Sequence, residues 1–452
     1  MTTDPRDVLS NARMGRLQVS IVAITVLLNA MDGFDVLAIS LALPGIAADW
    51  GVSTAVLGYV VSMEIFGMAI ASMVLGGVAD RIGRRPTILG CLMVMVVGMF
   101  MATTAQGVVT LSIWRVVTGL GIGGILATAG AVAAEFSSAR RRHLSVSLMS
   151  IGYPIGGALG SYVVRNLLVT YDWRAIFYLG AATTVTCIPL AYFFMPESVH
   201  WLARKQPAGA LERINRTLAR MGHAAVSALP AVPVEARKRS TGDILTPGLR
   251  AVTLILTVAY FFHIGTYYFI LKWVPTIVVN MGFDQATGAG MLTWVNVGGM
   301  TGGLVLGLLT SRVGIKALTV GVLVLTTAAV ALVGRSPADL TWIAATCAVA
   351  GFFGNAGIVG LYAIFAHAFP THVRAFGTGF VIGVGRGGAA LAPIVAGYLF
   401  DGGSALSMVA LVLGLWSLCA AGVLAFLKIA PEAPAERPTA TEGQLKPSLA
   451  RT

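Results

Sequence analysis

The sequence has few charged residues for its length. Asp, Glu, Lys and Arg make up only 11% of its 452 residues, whereas a typical soluble domain contains about 25%. Hydrophobic residues make up 56%. This balance excludes an ordinary water-soluble protein, because so many apolar side chains need a solvent other than water.

Cysteine pairs and catalytic motifs are also missing. All four cysteines lie in apolar stretches, without a CxxC pair or a nearby histidine cluster: Cys91, Cys187, Cys347 and Cys419. We therefore expect no disulfide framework, no metal site and no cofactor. No paired nucleophile and base and no glycine-rich phosphate loop are present, so the sequence does not predict an enzyme.

Long apolar runs occupy most of the chain. Each run has roughly 20 residues and can span a hydrocarbon core about 30 Å thick as a helix. A transmembrane barrel would need strands of about ten alternating residues, but these runs are continuous. We predict an all-α membrane protein with helices at 18–43, 54–78, 87–106, 108–134, 143–168, 175–195, 250–275, 287–310, 317–334, 340–367, 375–400 and 404–428.

The basic residues are distributed unevenly about these helices. The net charge is +12, and 25 of the 31 Lys and Arg residues fall on the side that holds the termini. The loops on the other side hold only Arg165, Arg174, Lys272 and Arg335. Cytoplasmic loops carry the excess of Lys and Arg, so we predict that both termini are cytoplasmic. The basic charge reflects topology and does not predict a nucleic-acid partner.

One long polar segment divides the chain into two related halves. We predict an N-terminal half at 1–195, a cytoplasmic central loop at 196–249, a C-terminal half at 250–428 and a cytoplasmic tail at 429–452. The loops at 76–85 and 307–316 resemble each other, at an offset of about 231 residues. Repeated six-helix halves are typical of secondary transporters that work by alternating access.

The loop after the second helix carries a specific motif. It matches the signature loop of the major facilitator superfamily at every defined position: Gly76, Asp80, Arg81, Gly83, Arg84 and Arg85. Arg115-x-x-x-Gly119-x-Gly121 in the fourth helix and the residues after the sixth also resemble that superfamily. The resemblance covers 15–428 and implies twelve transmembrane helices in two pseudo-symmetric six-helix halves.

A tetrapeptide in the first helix narrows the resemblance. Asp32-Gly33-Phe34-Asp35 is similar to the hallmark of the aromatic acid:proton symporters, which carry benzoate, hydroxybenzoates and related acids into bacteria. The resemblance implies proton-coupled uptake of small aromatic carboxylates across the inner membrane. It also implies a multi-pass protein that functions as a monomer in the lipid bilayer.

Two departures from the family pattern keep other transport functions open. Ser311 replaces the acidic residue in the second copy of the signature loop. The run from Gly152 to Gly157 partly resembles a fifth-helix motif of drug:proton antiporters, with Tyr153 in place of a glycine. The second departure leaves a drug:proton antiporter as an alternative. The stretch from Pro196 to Trp201 also resembles sugar porters and organic-ion carriers, so a symporter of another organic acid or a sugar is the other alternative.

Two carboxylates fall in the middle of the first helix. Asp32 and Asp35 are three residues apart and so share one face, and an ionisable residue at such a depth costs about 2.5–3.5 kcal/mol. Ionising both carboxylates in one cavity is costly, so we predict that they bind and release protons during transport. The alternative is a structural pair bound to a neighbouring helix. The resemblance implies that Arg115 influences proton transfer. The alternative is that its side chain extends to the edge of the membrane.

A single arginine lies midway along the eleventh helix. Arg386 has glycines on both sides, and its planar fork of donors matches a carboxylate. We predict that it binds the substrate in space left by those glycines. The alternative is a salt bridge to Asp32 or Asp35 that only stabilises the bundle.

Several further polar residues are predicted to contact substrate. At the offset of the repeat, Asp32 corresponds to His263, and Glu64 falls near Asn296. We predict that His263 carries a second proton or contacts the substrate; the alternative is a buried histidine that hydrogen-bonds to a backbone carbonyl. Glu64 is expected to bond to residues of its own six-helix half. The other candidates for hydrogen bonds to the substrate are Tyr153, Asn296, Asn355 and Tyr362. The aromatic side chains at 260–269 either stack on the substrate or serve helix packing and anchoring at the membrane interface.

The signature loop is predicted to gate rather than to bind. Its charged residues lie at a helix end, where they would latch neighbouring helices together. Arg374 occupies the corresponding place before the eleventh helix, since 135–142 matches 367–374 in the repeat. We therefore assign the loop residues and Arg374 to gating.

Overall fold

The structure, a computed structural model, describes residues 4–231, 241–310, 312–370 and 373–427. These ranges form helices joined by turns and loops, without strands. The helices are α1 Pro5–Asn11, α2 Arg16–Trp50, α3 Thr54–Ile82, α4 Arg84–Thr103, α5 Val108–Glu135, α6 Arg142–Leu167, α7 Arg174–Phe194, α8 Val199–Lys205, α9 Ala210–Met221, α10 Thr241–Ile244, α11 Arg250–Asn280, α12 Gln285–Leu309, α13 Ile315–Val333, α14 Leu340–Ala368, α15 Arg374–Asp401 and α16 Leu406–Ala425. Ser311 and the tail at 429–452 lie outside the described residues.

Twelve long helices form the body of the molecule. Eleven helices in the described ranges are long and apolar enough to cross a membrane. The remaining long helix, α6, has 26 residues but is more polar, since it begins at Arg142 and contains Arg165. It packs against α2 and α12 within the bundle. The predicted all-α membrane fold is confirmed.

The packing repeats between the two parts of the chain. The pairs α2–α6, α3–α5 and α4–α7 correspond to the pairs α11–α15, α12–α14 and α13–α16. Contacts between the two sets of helices are made mainly by α3 with α15, α6 with α12 and α2 with α11. This pattern is the one expected of two related six-helix units, although the exact boundaries at 195 and 249 stay predictions.

Two helices extend further than the sequence predicts. Helix α2 ends at Trp50 and α11 at Asn280, because Pro44 and Pro275 lie inside the helices instead of ending them. Proline is tolerated within membrane helices when neighbouring groups satisfy the freed backbone. The charge count placed Lys272 and Arg165 in loops, and both assignments are wrong, because these residues lie inside α11 and α6.

The bundle has two distinct ends. The linker end, as we call it, carries α8 and α9 beside the C-terminus of α7, and the loop end carries the turn between α2 and α3. At the loop end, Asp284 and Asp339 cap α12 and α14 by accepting hydrogen bonds from backbone N–H groups in the first turn. At the linker end, α9 buries Ile214 and Leu218 against the N-terminal helices.

Candidate functional site

Among the described residues, six Asp, Glu, Lys and Arg side chains lie within the membrane helices, away from both ends. Three are acidic and three are basic, so their formal charges balance: Asp32, Asp35, Glu64, Arg115, Lys272 and Arg386. All except Arg386 are 0% exposed. Charged groups at this depth are rare and normally pair with each other or serve transport, which makes their contacts the starting point for the site.

Glu64 holds two cations at once. One carboxylate oxygen lies 3.5 Å from Nη1 of Arg115 on α5, and the other lies 3.5 Å from Nζ of Lys272 on α11. Lys272 also donates a hydrogen bond to the backbone carbonyl of Val36 on α2. Because α3 and α11 belong to different parts of the bundle, Lys272 ties the two parts together.

Arg115 is fully enclosed. Its guanidinium donates to the hydroxyl of Thr118 at 2.6 Å and lies 3.0 Å from the sulfur of Met99. It also lies over the ring of Phe177, 5.0 Å from the centroid. With these contacts and Glu64, Arg115 does not extend to the membrane edge, and its charge is already neutralised by protein groups.

The two aspartates face different partners. Asp35 accepts a hydrogen bond from Thr184 at 3.3 Å and interacts electrostatically with Arg115 and Glu64. Asp32 has no hydrogen-bond partner for either oxygen among the described residues. Its charged neighbours are Asp35 and, of opposite sign, Arg386. Asp35 thus belongs with the Glu64 cluster, and Asp32 connects that cluster to Arg386.

Arg386 lies among tyrosines. Four phenol side chains are within electrostatic range of its guanidinium: Tyr153 on α6, Tyr260 and Tyr268 on α11, and Tyr362 on α14. The hydroxyls of Tyr260 and Tyr362 are 3.1 Å apart. In the described part of the chain no carboxylate lies within ion-pair distance of Arg386, and its Nη1 has no hydrogen-bond partner. The site therefore offers donors that protein groups leave unused.

The glycines beside Arg386 have a different role from the one predicted. A Cβ atom at Gly388 would overlap the backbone carbonyl of Phe261, and one at Gly385 would overlap the ring of Tyr260. These glycines let α15 pack closely on α11. They therefore set the position of Arg386 relative to the tyrosines, rather than leaving empty space for a ligand.

The tyrosine side of the site is open. Tyr362 is 40% exposed, and Arg386, Tyr153 and Tyr268 are partly exposed. Since Tyr153 comes from α6 and the other groups from α11, α14 and α15, the space that exposes them lies between the two parts of the bundle. A guanidinium with phenol hydroxyls around it can bind a carboxylate and hydrogen-bond to substituents on an attached ring.

His263 lies apart from this space. Its Nδ1 is 2.9 Å from the hydroxyl of Ser417, and its Nε2 is 2.9 Å from the backbone carbonyl of Gly354. It is fully buried where α11, α14 and α16 meet. Because Gly354 accepts a hydrogen bond, Nε2 carries a proton and both ring nitrogens are engaged. These contacts fit a structural histidine, and its role with protons or substrate stays a prediction.

The two predicted asparagines are also engaged in helix packing. Asn296 donates to the carbonyl of Leu292 at 2.8 Å, and its side-chain oxygen lies against Gly157 of α6. Asn355 donates to the carbonyl of Gly299 at 2.7 Å, which joins α14 to α12. Neither is brought next to Arg386 by these contacts, so their substrate roles stay predictions.

At the loop end, hydrogen bonds join the two parts of the bundle. The hydroxyls of Tyr59 and Tyr398 are 2.7 Å apart, and Ser62 donates to the carbonyl of Ala390 at 2.6 Å. Thr54 donates to the carbonyl of Gly397 at 3.2 Å. These bonds run along α3 and α15 from their loop end to the level of Glu64. This side of the central space is therefore closed.

At the linker end, the signature loop contacts the N-terminal helices and the first part of the central loop. Asp80 pairs with Arg84 at 2.8 Å and with Arg204 at 3.3 Å. Arg84 also lies 3.5 Å from Glu135 on α5. Glu197 accepts from the backbone N–H of Arg84 at 2.9 Å; burial raises the pKa of this carboxyl, whereas such hydrogen bonds favour its charged form.

The other residues predicted to gate have varied surroundings. Gly83 has a φ of 113°, and a Cβ atom there would overlap the carboxylate of Glu197, so glycine is required. Gly76 faces open space and Arg81 is exposed. Arg85 donates to the carbonyl of Tyr192 at 2.6 Å, and Arg374 donates to the carbonyl of Phe369 at 3.2 Å. Their gating role stays a prediction.

Three parts of this site were not predicted from the sequence. Lys272 was assigned to a loop, although apolar residues continue past it to Val279 and are typical of a longer helix. The contacts of Glu64 with two cations were not predicted. Tyr260 and Tyr268 could not be distinguished within an aromatic run, because only the helix contacts show which rings lie near Arg386.

Comparison with known proteins agrees with this architecture. The profile of the Major Facilitator Superfamily matches residues 25–348 and 291–451. The chain is 26% identical to the gallate transporter of Pseudomonas putida, over 92% of this chain and 93% of that protein. It is 28% identical to the 4-hydroxybenzoate transporter PcaK of Acinetobacter baylyi, over 94% of each. The crystal structure of a D-xylose–proton symporter has the same fold, with a TM-score of 0.72 at 16% identity over 91% of this chain and 98% of that one.

Proposed function

The chain belongs to the Major Facilitator Superfamily, and from this premise we propose that it imports small aromatic carboxylates together with protons across the bacterial inner membrane. The linker end and both termini face the cytoplasm in this proposal, as the excess of basic residues there favours. The relatives named for gallate and 4-hydroxybenzoate transport support an aromatic acid as the substrate.

The observation that carries the proposal is the incomplete pairing of Arg386. A buried cation is costly unless a counter-charge and hydrogen bonds accompany it. Arg386 has no carboxylate within ion-pair distance among the described residues, and one of its nitrogens has no acceptor. A substrate carboxylate supplies both the charge and the acceptors, through the bidentate geometry that guanidinium groups favour.

The tyrosines select the rest of the substrate. Aromatic rings interact through offset or edge contacts, which add about 0.5–1.5 kcal/mol beyond the burial of area. Tyr153, Tyr260, Tyr268 and Tyr362 supply such rings, and their hydroxyls can donate to or accept from ring hydroxyls of the substrate. A flat ring with a carboxylate at one end and a hydroxyl at the other suits this arrangement.

The acidic pair supplies the coupling to protons. An anion that enters against an inside-negative potential costs about 2.3 kcal/mol per 100 mV, and one co-transported proton cancels that charge. Asp32 lies between Asp35 and Arg386, and its oxygens lack hydrogen-bond partners. When a substrate carboxylate takes over Arg386, the aspartates lose electrostatic support from that cation and gain a proton more readily.

Alternating access follows from the two ends of the bundle. For substrate to enter from outside, the contacts between α3 and α15 at the loop end must separate, and so must the contact between Lys272 and Glu64. Arg115 then remains as the partner of Glu64. At the linker end, the signature loop closes the cytoplasmic side in that state. We therefore assign Lys272 to the coupling of substrate access with the state of the acidic cluster.

An uptake experiment tests the proposal. Cells that express the protein should accumulate labelled 4-hydroxybenzoate faster at an external pH of 6 than at 8, because more protons are available at the lower pH. Cells with an empty vector give the background, which includes diffusion of the neutral acid. Accumulation that persists after a protonophore is added would contradict symport, and uptake equal to the background would contradict the substrate class.

A further inference from the structure

A separate basic cavity lies at the linker end, outside the central site. It has a volume of about 300 Å³ and lies between the C-terminus of α7, the start of α4 and helix α9. Its charged lining residues are four arginines and one glutamate: Arg85, Arg213, Arg216, Arg220 and Glu197. The proposed transport cycle assigns gating to Arg85 but gives no role to the cavity itself or to the arginines of α9.

The sequence of α9 creates the basic wall of the cavity. Arg213, Arg216 and Arg220 are three and four residues apart, so they lie on one face of the helix. The opposite face buries Ile214 and Leu218. A helix with one apolar and one strongly basic face is held in place by its apolar side, which leaves the three arginines to line the cavity.

The existing partners leave the cavity with an excess of positive charge. Arg220 donates to the backbone carbonyl of Phe193 at 3.3 Å, and Arg85 donates to the backbone carbonyl of Tyr192. These acceptors carry no formal charge. Arg216 pairs with Glu212 at the exposed surface of α9, at 2.7 Å.

The one glutamate that lines the cavity is already engaged. Glu197 accepts hydrogen bonds from the backbone N–H groups of Arg84 and Ser198, at 2.9 and 2.8 Å. Its charge is therefore held at the start of α4. The positive charges of the lining arginines therefore exceed the negative charge of Glu197, and an anion that enters the cavity can accept hydrogen bonds from guanidinium groups.

The cavity lies beside the part of α7 that faces lipid. The last residues of α7 expose large aromatic side chains, with Tyr192 54%, Phe193 65% and Phe194 48% exposed. Aromatic residues at the ends of membrane helices mark the level of the lipid headgroups. The basic cavity is therefore placed at headgroup depth, next to acyl chains.

We propose that this cavity binds the phosphate headgroup of an anionic phospholipid of the surrounding leaflet. Basic cavities between membrane helices on the cytoplasmic side suit such headgroups, and arginine forks match phosphate oxygens. Free inorganic phosphate offers the same chemistry, but the lipid-facing aromatics at the cavity favour a membrane source. The bound lipid ties α9, and through it the central loop, to the N-terminal helices.

Binding of phosphatidylglycerol to the purified, delipidated protein tests this site. Native mass spectrometry counts the bound lipid during a titration, and phosphatidylcholine serves as the zwitterionic comparison. The triple variant Arg213→Gln, Arg216→Gln, Arg220→Gln should bind phosphatidylglycerol more weakly by about five-fold per arginine, or roughly a hundred-fold in total. A control triple variant removes the same charge from exposed positions outside the cavity: Arg140→Gln, Arg141→Gln and Arg250→Gln. It should bind like the wild type.

The results distinguish a lipid site from nonspecific binding to surface charge and from a site for a free anion. Equal weakening in both triple variants would overturn the proposal, because general surface charge would then account for binding. Displacement of the lipid by low millimolar inorganic phosphate would assign the cavity to a free anion and overturn the membrane source. Elution as a single species and an unchanged melting temperature establish folding. If the triple variant fails that check, Arg216→Gln with Arg220→Gln should still weaken binding by about twenty-fold.

Discussion

Two arginines, Arg115 and Arg386, lie within membrane helices and away from both ends in the described part of the bundle, and their surroundings differ. Arg115 has the Glu64 carboxylate at ion-pair distance, contacts a hydroxyl, a sulfur and an aromatic ring, and is fully enclosed. Arg386 is partly exposed and lies among tyrosines, with no carboxylate of the described residues at ion-pair distance. Both guanidinium groups keep N–H groups without acceptors, so the difference lies in the counter-charge and in the exposure.

This difference assigns separate roles to the two regions. A guanidinium that is enclosed and paired with a carboxylate is out of reach of a substrate, and it instead affects the electrostatics of the acids beside it. A partly exposed guanidinium without a paired carboxylate is suited to bind a substrate carboxylate. Asp32 interacts electrostatically with Asp35 and with Arg386, so it couples the two regions.

The largest effect is expected at Asp35, which belongs to the Arg115 region. Asp35→Asn should abolish accumulation of labelled substrate, because an amide cannot carry the proton. Exchange of internal for external substrate should persist, since it needs binding and access but no net proton movement. Transport into proteoliposomes, with and without a pH gradient, measures both. The matched control is Asp49→Asn on the same helix, where the carboxylate is exposed and pairs with Arg174.

The next effect distinguishes the two partners within the Glu64 cluster. Glu64→Gln removes the one carboxylate among the described residues that lies within ion-pair distance of both Arg115 and Lys272, and breaking a buried pair in this way costs about 3–5 kcal/mol. Lys272→Met leaves the contact between Glu64 and Arg115 intact, so it should cost less. Thermal unfolding of the purified variants should rank wild type above Lys272→Met, and Lys272→Met above Glu64→Gln. The reverse order of the two variants would mean that Glu64 is not the centre of the cluster.

A smaller effect is expected outside both regions. Asp80→Asn removes the contacts of the signature loop with Arg84 and Arg204, which are partly exposed and far from Arg386. Turnover should fall several-fold, while substrate affinity, measured by binding to the purified protein, should stay within about three-fold of the wild type. Loss of binding by a folded Asp80→Asn variant would contradict the gating assignment.

The sequence was sufficient for the fold and for part of the site. Apolar runs and the internal repeat predict twelve helices in two related sets, because membrane helices satisfy their backbone hydrogen bonds internally. The predicted ends at 43 and 275 are too early, because α2 and α11 continue through Pro44 and Pro275. Lys272 lies inside the predicted span 250–275, but the charge count assigned it to a loop, so its buried partner was not predicted.

Pairing within the site could not be predicted from single positions. Asp32, Asp35, Glu64, Arg115 and Arg386 are all visible as ionisable residues in apolar runs. Which of them meet depends on the rotation and tilt of helices that are distant in sequence. The same holds for His263, where the contacts with Ser417 and Gly354 depend on the packing of three helices.

The central claim is that Arg386 binds the carboxylate of an aromatic substrate, and a comparison of two ligands tests it most directly. We would measure the affinities of 4-hydroxybenzoate and of 4-hydroxybenzyl alcohol, which lacks the carboxylate, for purified wild type and Arg386→Gln. Arg335→Gln, at an exposed arginine in a loop, is the control. Binding to folded protein avoids the effects of gating that complicate transport rates.

The wild type and Arg335→Gln should prefer the acid over the alcohol by roughly ten- to a hundred-fold, since a charge-assisted hydrogen bond contributes about 1.5–3 kcal/mol. In Arg386→Gln this preference should disappear, while binding of the alcohol should change little. An undiminished preference for the acid in Arg386→Gln would contradict the account and would place the carboxylate at another residue.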